Sequence, residues 1–117
     1  MTCHPLDILL VEDEVIIRMD LAFSLSDMGH RVVEAGNVAE ALEVFENAER
    51  MDVLITDIDM PGPLKGLALA AEVRRRSEHC RIIVMSGRPV PDVGALPVGG
   101  VFVEKPLEVD DLARAMA

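Results

Sequence analysis

The sequence predicts a doubly wound α/β domain built on a parallel sheet. Five short apolar runs rich in β-branched residues alternate with segments in which apolar residues recur about every 3.6 positions. Strands that are apolar throughout and are separated by helices favour a parallel sheet covered on both faces, with right-handed crossovers. The 117 residues suit one domain with a proper core and are too few for a second.

The five strands are expected where the apolar runs lie. Each run is short, as buried strands are, and polar residues or glycine bound it. The predicted strands cover residues 7–12, 31–35, 52–57, 81–86 and 100–105.

The first helix is predicted over residues 14–29, where the apolar pattern changes to the helical period. Gly29 suits its C-terminal cap, because glycine readily adopts the left-handed conformation that commonly ends a helix. We therefore expect an amphipathic helix. Its apolar face consists of Ile17, Leu21, Leu25 and Met28, and its polar face of Asp20, Ser24 and Asp27.

Three further helices are predicted. The second covers residues 37–50, with Asn37 as the N-cap and an acidic outer face. Its apolar face consists of Val38, Ala41, Leu42 and Phe45. The third covers residues 67–76 and the last covers residues 107–117. We interpret the arginines at 74–76 as the cations that favour a helix C-terminus rather than as a basic binding patch.

The charge balance and the cysteines disfavour several classes of function. Eleven basic against twenty-one acidic side chains give a formal net charge of −10, which opposes binding to nucleic acid or to an anionic membrane. No apolar run approaches the length of a membrane span and no targeting segment is recognisable, so we expect a cytoplasmic protein. Cys3 and Cys80 are expected to be free thiols, and neither forms a zinc motif with its histidine neighbour.

Polar and charged side chains stand at the ends of four of the five predicted strands. Glu12 and Asp13 end the first strand, Asp57 the third, Ser86 the fourth and Lys105 the fifth. Ligands of open parallel sheets bind outside the carboxyl ends of the strands. We therefore expect these side chains to meet at one rim and to form a site.

The chemistry of this rim suits a cation and a phosphoryl group. Three carboxylates repel one another, so one of them would have to take up a proton unless a cation joins them. An all-oxygen site at the mouth of an α/β sheet suits Mg²⁺ or Mn²⁺. Lys105 adds a positive charge and Ser86 adds a hydrogen-bond donor. Because an aspartate can itself be a nucleophile, these residues indicate an aspartyl phosphate formed with a divalent cation.

Four segments at the strand ends resemble the receiver domain of two-component response regulators. They are LLVEDE, TDIDMPG, IIVMSG and FVEKP, in this order, and the resemblance covers essentially the whole chain. TDIDMPG and MSGRP are similar to a subset of receivers found in alphaproteobacteria. The resemblance implies a flavodoxin-like (βα)5 fold. It also implies a signalling phosphoacceptor, rather than an enzyme, that is phosphorylated by a sensor histidine kinase or a histidine phosphotransfer protein and that can form a homodimer.

The resemblance assigns a role to each residue of the predicted site. Asp57 matches the phosphoryl acceptor, and Glu12 and Asp13 match the residues that hold Mg²⁺. Asp59 falls where the family uses a main-chain carbonyl as a metal ligand, so we expect its side chain to be solvated. We expect Asp57 to be phosphorylated only in the presence of the cation, because the crowded carboxylates otherwise repel an approaching dianion.

The remaining matches concern the response to phosphorylation. Ser86 matches the hydroxyl residue that hydrogen-bonds the phosphoryl group, and Lys105 matches the lysine that pairs with it. Pro106 matches a proline that commonly follows a cis peptide bond in the family. Phe102, three residues before the lysine, falls at the aromatic switch position. We therefore expect Lys105 to couple the phosphorylated state to Ser86 and Phe102 rather than to hold the fold.

Two other interpretations stay open at this point. The segment DIDMP also resembles the Asp-x-Asp nucleophile motif of haloacid-dehalogenase-type phosphatases, but that motif normally follows the first strand, and here it follows the third. A pseudo-receiver would use the fold only for protein contact, and the complete set of acidic, hydroxyl and lysine residues argues against it. A small phosphodonor discriminates between the three, since only a receiver accumulates a slowly lost phosphoaspartate.

Two segments depart from the usual receiver pattern. One extra residue separates MPG from Gly66, the glycine that opens the third helix, so the loop after Asp57 is longer. Residues 87–100 contain three prolines and several glycines, which disfavour a helix. We predict that the fourth helix of the family is absent here or is a single turn. We expect no output domain, and the sequence leaves open whether the receiver acts alone or belongs to a hybrid kinase or a larger regulator.

Overall fold

The fold is a five-stranded parallel sheet with helices packed on both faces, as the sequence predicts. A computed structural model of the protein describes residues 5–58, 66–87, 97, 99–105 and 108–116. The described elements, in chain order, are β1 (Asp7–Val11), α1 (Val15–Asp27), β2 (Arg31–Ala35), α2 (Val38–Asn47), β3 (Val53–Asp57), α3 (Gly66–Arg76), β4 (Arg81–Ser86), β5 (Val101–Glu104) and α4 (Val109–Met116). Their ends agree with the predicted ones to within about three residues, which is little more than the usual uncertainty of such boundaries.

The order of the strands in the sheet is β2-β1-β3-β4-β5, and every neighbouring pair is parallel. This is the flavodoxin-like order, in which the chain reverses direction across the sheet after β2. The reversal places the carboxyl ends of β1 and β3 side by side. A crevice at this point is where such sheets bind their ligands.

Two apolar layers cover the central strands, one on each face of the sheet. Successive residues of β3 point to opposite faces: Leu54 packs in the layer with α2 and α3, whereas Val53 and Ile55 pack in the layer with α1 and α4. The strands β1, β3 and β4 are almost entirely buried, which confirms the prediction of strands covered on both faces. The edge strands β2 and β5 are partly exposed.

The outer face of α1 differs from the predicted amphipathic pattern. The predicted core residues Leu21 and Leu25 are buried, as expected. Large apolar side chains also occupy the face that points away from the sheet, however, because the helix is apolar around more of its circumference than one sheet face can cover. We call this surface the α1 strip. It consists of Val15, Ile16, Met19 and Phe23, which are 52–82% exposed.

The predicted caps of α1 and α2 are confirmed. Gly29 has φ +98°, in the left-handed region, and the N–H of His30 then reaches the carbonyl of Leu25 at 3.2 Å. The side chain of Asn37 accepts a hydrogen bond from the N–H of Glu40 at 2.8 Å. These bonds satisfy main-chain groups that a helix end leaves without partners.

The arginines at the end of α3 do not form an open basic patch. All three lie in the last turn of the helix. Arg74 donates to the carbonyl oxygens of Ser77 and Glu78, and Arg75 and Arg76 pair with Glu72. These contacts support their interpretation as cations that stabilise a helix C-terminus.

Some predicted features fall outside the described residues. These include Asp59 and the longer loop after it, Pro106, Cys3, and most of the segment 87–100 for which a missing or single-turn helix was predicted. Within the part of the chain that the structure describes, no helix is long and apolar enough to cross a membrane.

Candidate functional site

The carboxyl rim of the sheet brings three acidic residues together. Glu12 and Asp13 directly follow β1, and Asp57 is the last residue of β3. One carboxylate oxygen from each residue lies within 4.8 Å of one from each of the others. Glu12 is 0% and Asp57 4% exposed, so these charges are held largely away from solvent. Such a cluster of buried like charges is unfavourable unless positive charge compensates it.

Main-chain hydrogen bonds fix the positions of the residues just beyond the strand ends. The N–H of Glu12 donates to the carbonyl of Ala35 at 3.1 Å. The N–H of Lys105 donates to the carbonyl of Ser86 at 2.8 Å. The hydrogen bonds of the sheet therefore continue one residue past β1 and β5. They direct the side chains of Glu12 and Lys105 toward the rim.

Lys105 joins two of the carboxylates. Its Nζ lies 2.8 Å from Oε2 of Glu12 and 2.8 Å from Oδ2 of Asp57. Burial alone would favour the neutral amine, but the hydrogen bonds to Asp57 and Glu12 outweigh it and raise the pKa of Lys105 above its ordinary value. The lysine is therefore a fixed positive charge at neutral pH.

The carboxyl group of Glu12 is unfavourably placed for a negative charge. Burial raises the pKa of its carboxyl above the ordinary value, and the neighbouring charge of Asp57 acts in the same direction. The hydrogen bonds from Lys105 and from the N–H of Glu14 oppose this effect without cancelling it. Three carboxylates share this rim with the one ammonium of Lys105, so a further positive charge there would stabilise their ionised forms.

The donor set fits Mg²⁺ or Mn²⁺. Glu12, Asp13 and Asp57 offer only oxygen atoms, which are the ligands these hard ions prefer. In the described residues, this is the group of acidic, cysteine or histidine side chains close enough to hold a metal ion. Cys80 and His79 are not part of it, and burial raises the pKa of the Cys80 thiol to about 11, so the thiolate that binds zinc is strongly disfavoured.

The two predicted switch residues lie on neighbouring strands. Ser86 ends β4 and is buried at 1% exposure, one position beyond Met85, which pairs with Asp57. Phe102 lies in β5 opposite Val84. It is half-buried and packs against the apolar layer of α2 and α3. The structure thus places Ser86 at the rim and Phe102 two residues before Glu104, the partner of Ser86, and the roles of both in switching stay predictions.

Three contacts that support this site were not predicted from the sequence. The hydroxyl of Thr56 donates to the carbonyl oxygen of Asp57 at 3.0 Å. Gly66 begins α3 against the same carbonyl, so closely that any side chain there would collide with it. Arg18 donates to the carbonyl oxygen of Glu12 at 2.9 Å. All three act on main-chain oxygens rather than on the carboxylates, and no local motif marks such contacts.

Comparisons with known proteins agree with one another. The family described as the response regulator receiver domain matches residues 8–117. The chain is 32% identical over 119 residues to the transcriptional regulatory protein GlrR of Escherichia coli, covering 99% of this chain and 26% of GlrR. It is 36% identical over 114 residues to the sensor kinase CckA of Brucella abortus, covering 93% of this chain and 12% of the kinase.

Solved structures support the same relationship. A response regulator receiver domain protein from Clostridium thermocellum superposes with a TM-score of 0.86 at 31% identity. The match covers 95% of this chain and 90% of that chain. The similarity to this structure therefore extends over nearly the whole of both chains, whereas the curated relatives are much longer than the present chain.

Proposed function

Because the chain belongs to the response regulator receiver domain family, its role is that of a phosphoacceptor in two-component signalling, and we propose that Asp57 is the acceptor. One observation carries this assignment. The Asp57 carboxylate lies at the tip of β3, 2.8 Å from the ammonium of Lys105 and beside the carboxylates of Glu12 and Asp13. Family membership also favours the receiver over the phosphatase interpretation.

The reaction is a phosphoryl transfer to a carboxylate. A carboxylate oxygen of Asp57 attacks the phosphorus atom of a phosphohistidine, the P–N bond breaks, and the imidazole leaves with its electron pair. The product is an acyl phosphate on Asp57. A small phosphodonor such as acetyl phosphate reacts in the same way, with breakage of a P–O bond and release of acetate.

The residues of the rim have complementary roles in this transfer. Glu12, Asp13 and Asp57 would hold Mg²⁺, with the main-chain carbonyl of residue 59 as a further proposed ligand. When bound, Mg²⁺ supplies positive charge that offsets the carboxylates and the incoming phosphoryl oxygens. Lys105 stays protonated and moves its hydrogen bond from the Asp57 carboxylate to a phosphoryl oxygen.

The switch follows from the position of Ser86. We assign its hydroxyl to a phosphoryl oxygen, because it lies on the strand next to Asp57 and one residue further along. Phe102 pairs with Val84, which lies two residues before Ser86 on β4, and both pack on the same side of the sheet. A shift of Ser86 toward the phosphoryl group would therefore change the packing of Phe102. Partner binding then changes with the surface around β5.

The test is phosphorylation of the purified protein with acetyl phosphate and Mg²⁺, followed by intact-mass spectrometry. We expect one added phosphate in the wild type and none in Asp57→Asn. Asp27→Asn, which removes an exposed carboxylate on α1, is the matched control and should behave as the wild type. Phosphate on Asp57→Asn at wild-type yield would contradict the assignment. A wild type that stays unmodified would indicate a pseudo-receiver, and continuous turnover of the donor would indicate a phosphatase.

The partner that we propose is a histidine-bearing phosphodonor protein docked on the α1 strip. The strip starts at Val15, two residues after Asp13. We therefore expect a protein that presents a phosphohistidine to Asp57 to contact it as well. Large exposed apolar patches commonly mark interaction sites. The exposed charges of α1 are acidic, at Glu14, Asp20 and Asp27, so the complementary surface is apolar with a basic rim.

Two phosphodonors separate docking from chemistry. We expect Ile16→Ser to slow transfer from a phosphorylated histidine kinase of the source organism by about tenfold, which is the effect of losing an interface hot spot that contributes about 1.4 kcal/mol. Transfer from acetyl phosphate should not change. Val33→Ser is the control, since it alters an exposed apolar residue of β2 outside the strip. Equal transfer from the kinase to Ile16→Ser and wild type would rule out this docking surface.

The wider pathway depends on parts that lie beyond this chain in its longer relatives. GlrR and CckA carry a matching segment within much longer proteins, one named as a transcriptional regulator and the other as a sensor kinase. We place the phosphoryl exchange in the cytoplasm, where a free thiol such as that of Cys80 stays reduced.

A further inference from the structure

The guanidinium of Arg18 connects the acidic rim to the edge of the sheet. Arg18 lies one helical turn after Glu14 on α1, and its side chain is only 19% exposed. Its Nη1 donates to the carbonyl oxygen of Glu12 at 2.9 Å, and its Nε donates to Oε1 of Glu34 at 3.2 Å. One side chain therefore joins the end of β1 to β2.

The carbonyl that Arg18 holds belongs to the peptide that links Glu12 to Asp13. The other polar groups of Glu12 have different partners: its N–H donates to Ala35, and its carboxylate accepts from Glu14 and Lys105. Those bonds fix the Glu12 side chain and the strand end. The bond from Arg18 fixes the plane of the next peptide and hence the direction in which Asp13 leaves the strand.

The structure leaves room for this guanidinium. Gly36 directly follows β2, and a Cβ atom at that position would lie 3.0 Å from Nη1 of Arg18. The N–H of Gly36 donates to the Glu40 side chain at 2.9 Å, which ties the same turn to the start of α2. The guanidinium therefore lies against the turn at Gly36, where a side chain would crowd it.

From this geometry we infer that Arg18 is a positioning residue. It orients groups that bind the divalent cation and does not bind the cation itself. It orients the peptide between Glu12 and Asp13 so that both carboxylates reach one ion, and Glu34 anchors it in that position. The inference rests on the proposed function, since it assumes that these carboxylates bind Mg²⁺. Outer partners of metal ligands commonly change metal affinity by 10- to 100-fold when they are removed.

The sign of the effect distinguishes positioning from charge. Arg18 is a cation near a cation site, so on Coulombic grounds alone its removal would tighten the binding of a divalent ion. Loss of a positioning bond has the opposite effect and weakens binding. A role in folding alone would lower stability and leave the affinity of the folded protein unchanged.

The experiment is a titration of each protein with Mn²⁺ alone, in which electron paramagnetic resonance measures the free ion. The temperature is chosen from thermal unfolding curves so that every protein is folded. We expect Arg18→Met to bind Mn²⁺ about tenfold more weakly than the wild type. Arg18→Lys, which keeps the charge but lacks the fork that reaches both partners, should also bind more weakly. Arg31→Met is the matched control, because it removes an arginine that pairs with Asp7 at the other end of the sheet.

The outcomes separate this inference from the proposed function. If the wild type binds Mn²⁺ and Arg18→Met binds it equally or more tightly, the inference is wrong and the proposed function stands. If the wild type itself binds no Mn²⁺, the proposed cation site fails. Should Arg18→Met be unfolded, Arg18→Lys decides, because it keeps the positive charge: weaker binding supports positioning, and wild-type affinity overturns it.

Discussion

Replacement of Gly66 by alanine gives the sharpest test of how the phosphoacceptor is held. Gly66 is the first residue of α3 and lies against the end of β3. An ideal Cβ atom at this position would be 2.0 Å from the carbonyl oxygen of Asp57 and 2.8 Å from the Cα atom of Ile58. Both are main-chain atoms, so no side-chain rotation relieves the collision.

The size of the effect follows from these distances. Real Cβ atoms essentially never approach another heavy atom closer than 3.0 Å, so Gly66→Ala must move α3 and the Asp57 carbonyl apart by about 1 Å. Forced overpacking of this kind typically destabilises a protein by about 1–3 kcal/mol. For a domain of this length, such a loss lowers the melting temperature by about 4–12 °C. A 1 Å displacement of a reacting group can also slow its reaction by about 10²-fold.

Two measurements test this expectation. Thermal unfolding followed by circular dichroism gives the stability, and the rate of phosphorylation by acetyl phosphate at saturating Mg²⁺ gives the reactivity of Asp57 well below the melting temperature. Gly87→Ala is the matched control, because among the described residues the nearest atom to its Cβ is the Cβ of Lys105 at 4.0 Å, an ordinary contact. A Gly66→Ala protein that melts and reacts like the wild type would refute the reasoning.

Three further substitutions have expected outcomes. Lys105→Ala should fold but lose about 2 kcal/mol of stability without Mg²⁺, because it removes the ammonium that pairs with two buried carboxylates. Added Mg²⁺ should stabilise this variant more than it stabilises the wild type, as thermal unfolding will show. The hydrogen bond from Arg31 lowers the pKa of Asp7 in the folded protein below the ordinary value of an aspartate. The ionised Asp7 carboxylate therefore stabilises the fold fully at a pH above that ordinary pKa. This stabilisation is lost as the pH falls through the lower pKa of the folded protein. Melting temperatures from about pH 6 to about pH 3 should therefore fall more steeply in the wild type than in Asp7→Asn. Ile55→Ala should lower the free energy of unfolding in urea by about 2–5 kcal/mol, since Ile55 is fully buried.

The strands and caps could be predicted because their signals are local. A buried strand is apolar at every position, and the caps at Gly29 and Asn37 depend on residues within one turn of the helix end. The convergence of polar residues at one rim was also predictable, since parallel strands place their carboxyl ends at the same edge. These inferences need only the chain order and the periodicity.

The outer face of α1 and the supports of the site could not be predicted in the same way. Periodicity identifies the side of α1 that packs on the sheet, but it does not say that Ile16 and Phe23 stay uncovered. Arg18 and Gly66 act on main-chain oxygens whose position depends on how separate elements pack. Such contacts are set by tertiary structure, so each residue alone looked like an ordinary helix position.

The bonds of Lys105 link the chemistry of this protein to the order in which its chain folds. The lysine is 93 residues away from Glu12 and 48 residues away from Asp57 along the chain. Contacts over such separations form only after long loops have closed, which makes them slow to appear. Before β5 docks, the ammonium of Lys105 cannot reach the carboxylates of the rim. We therefore expect the chain to become competent to receive a phosphoryl group late in folding, after β5 has docked.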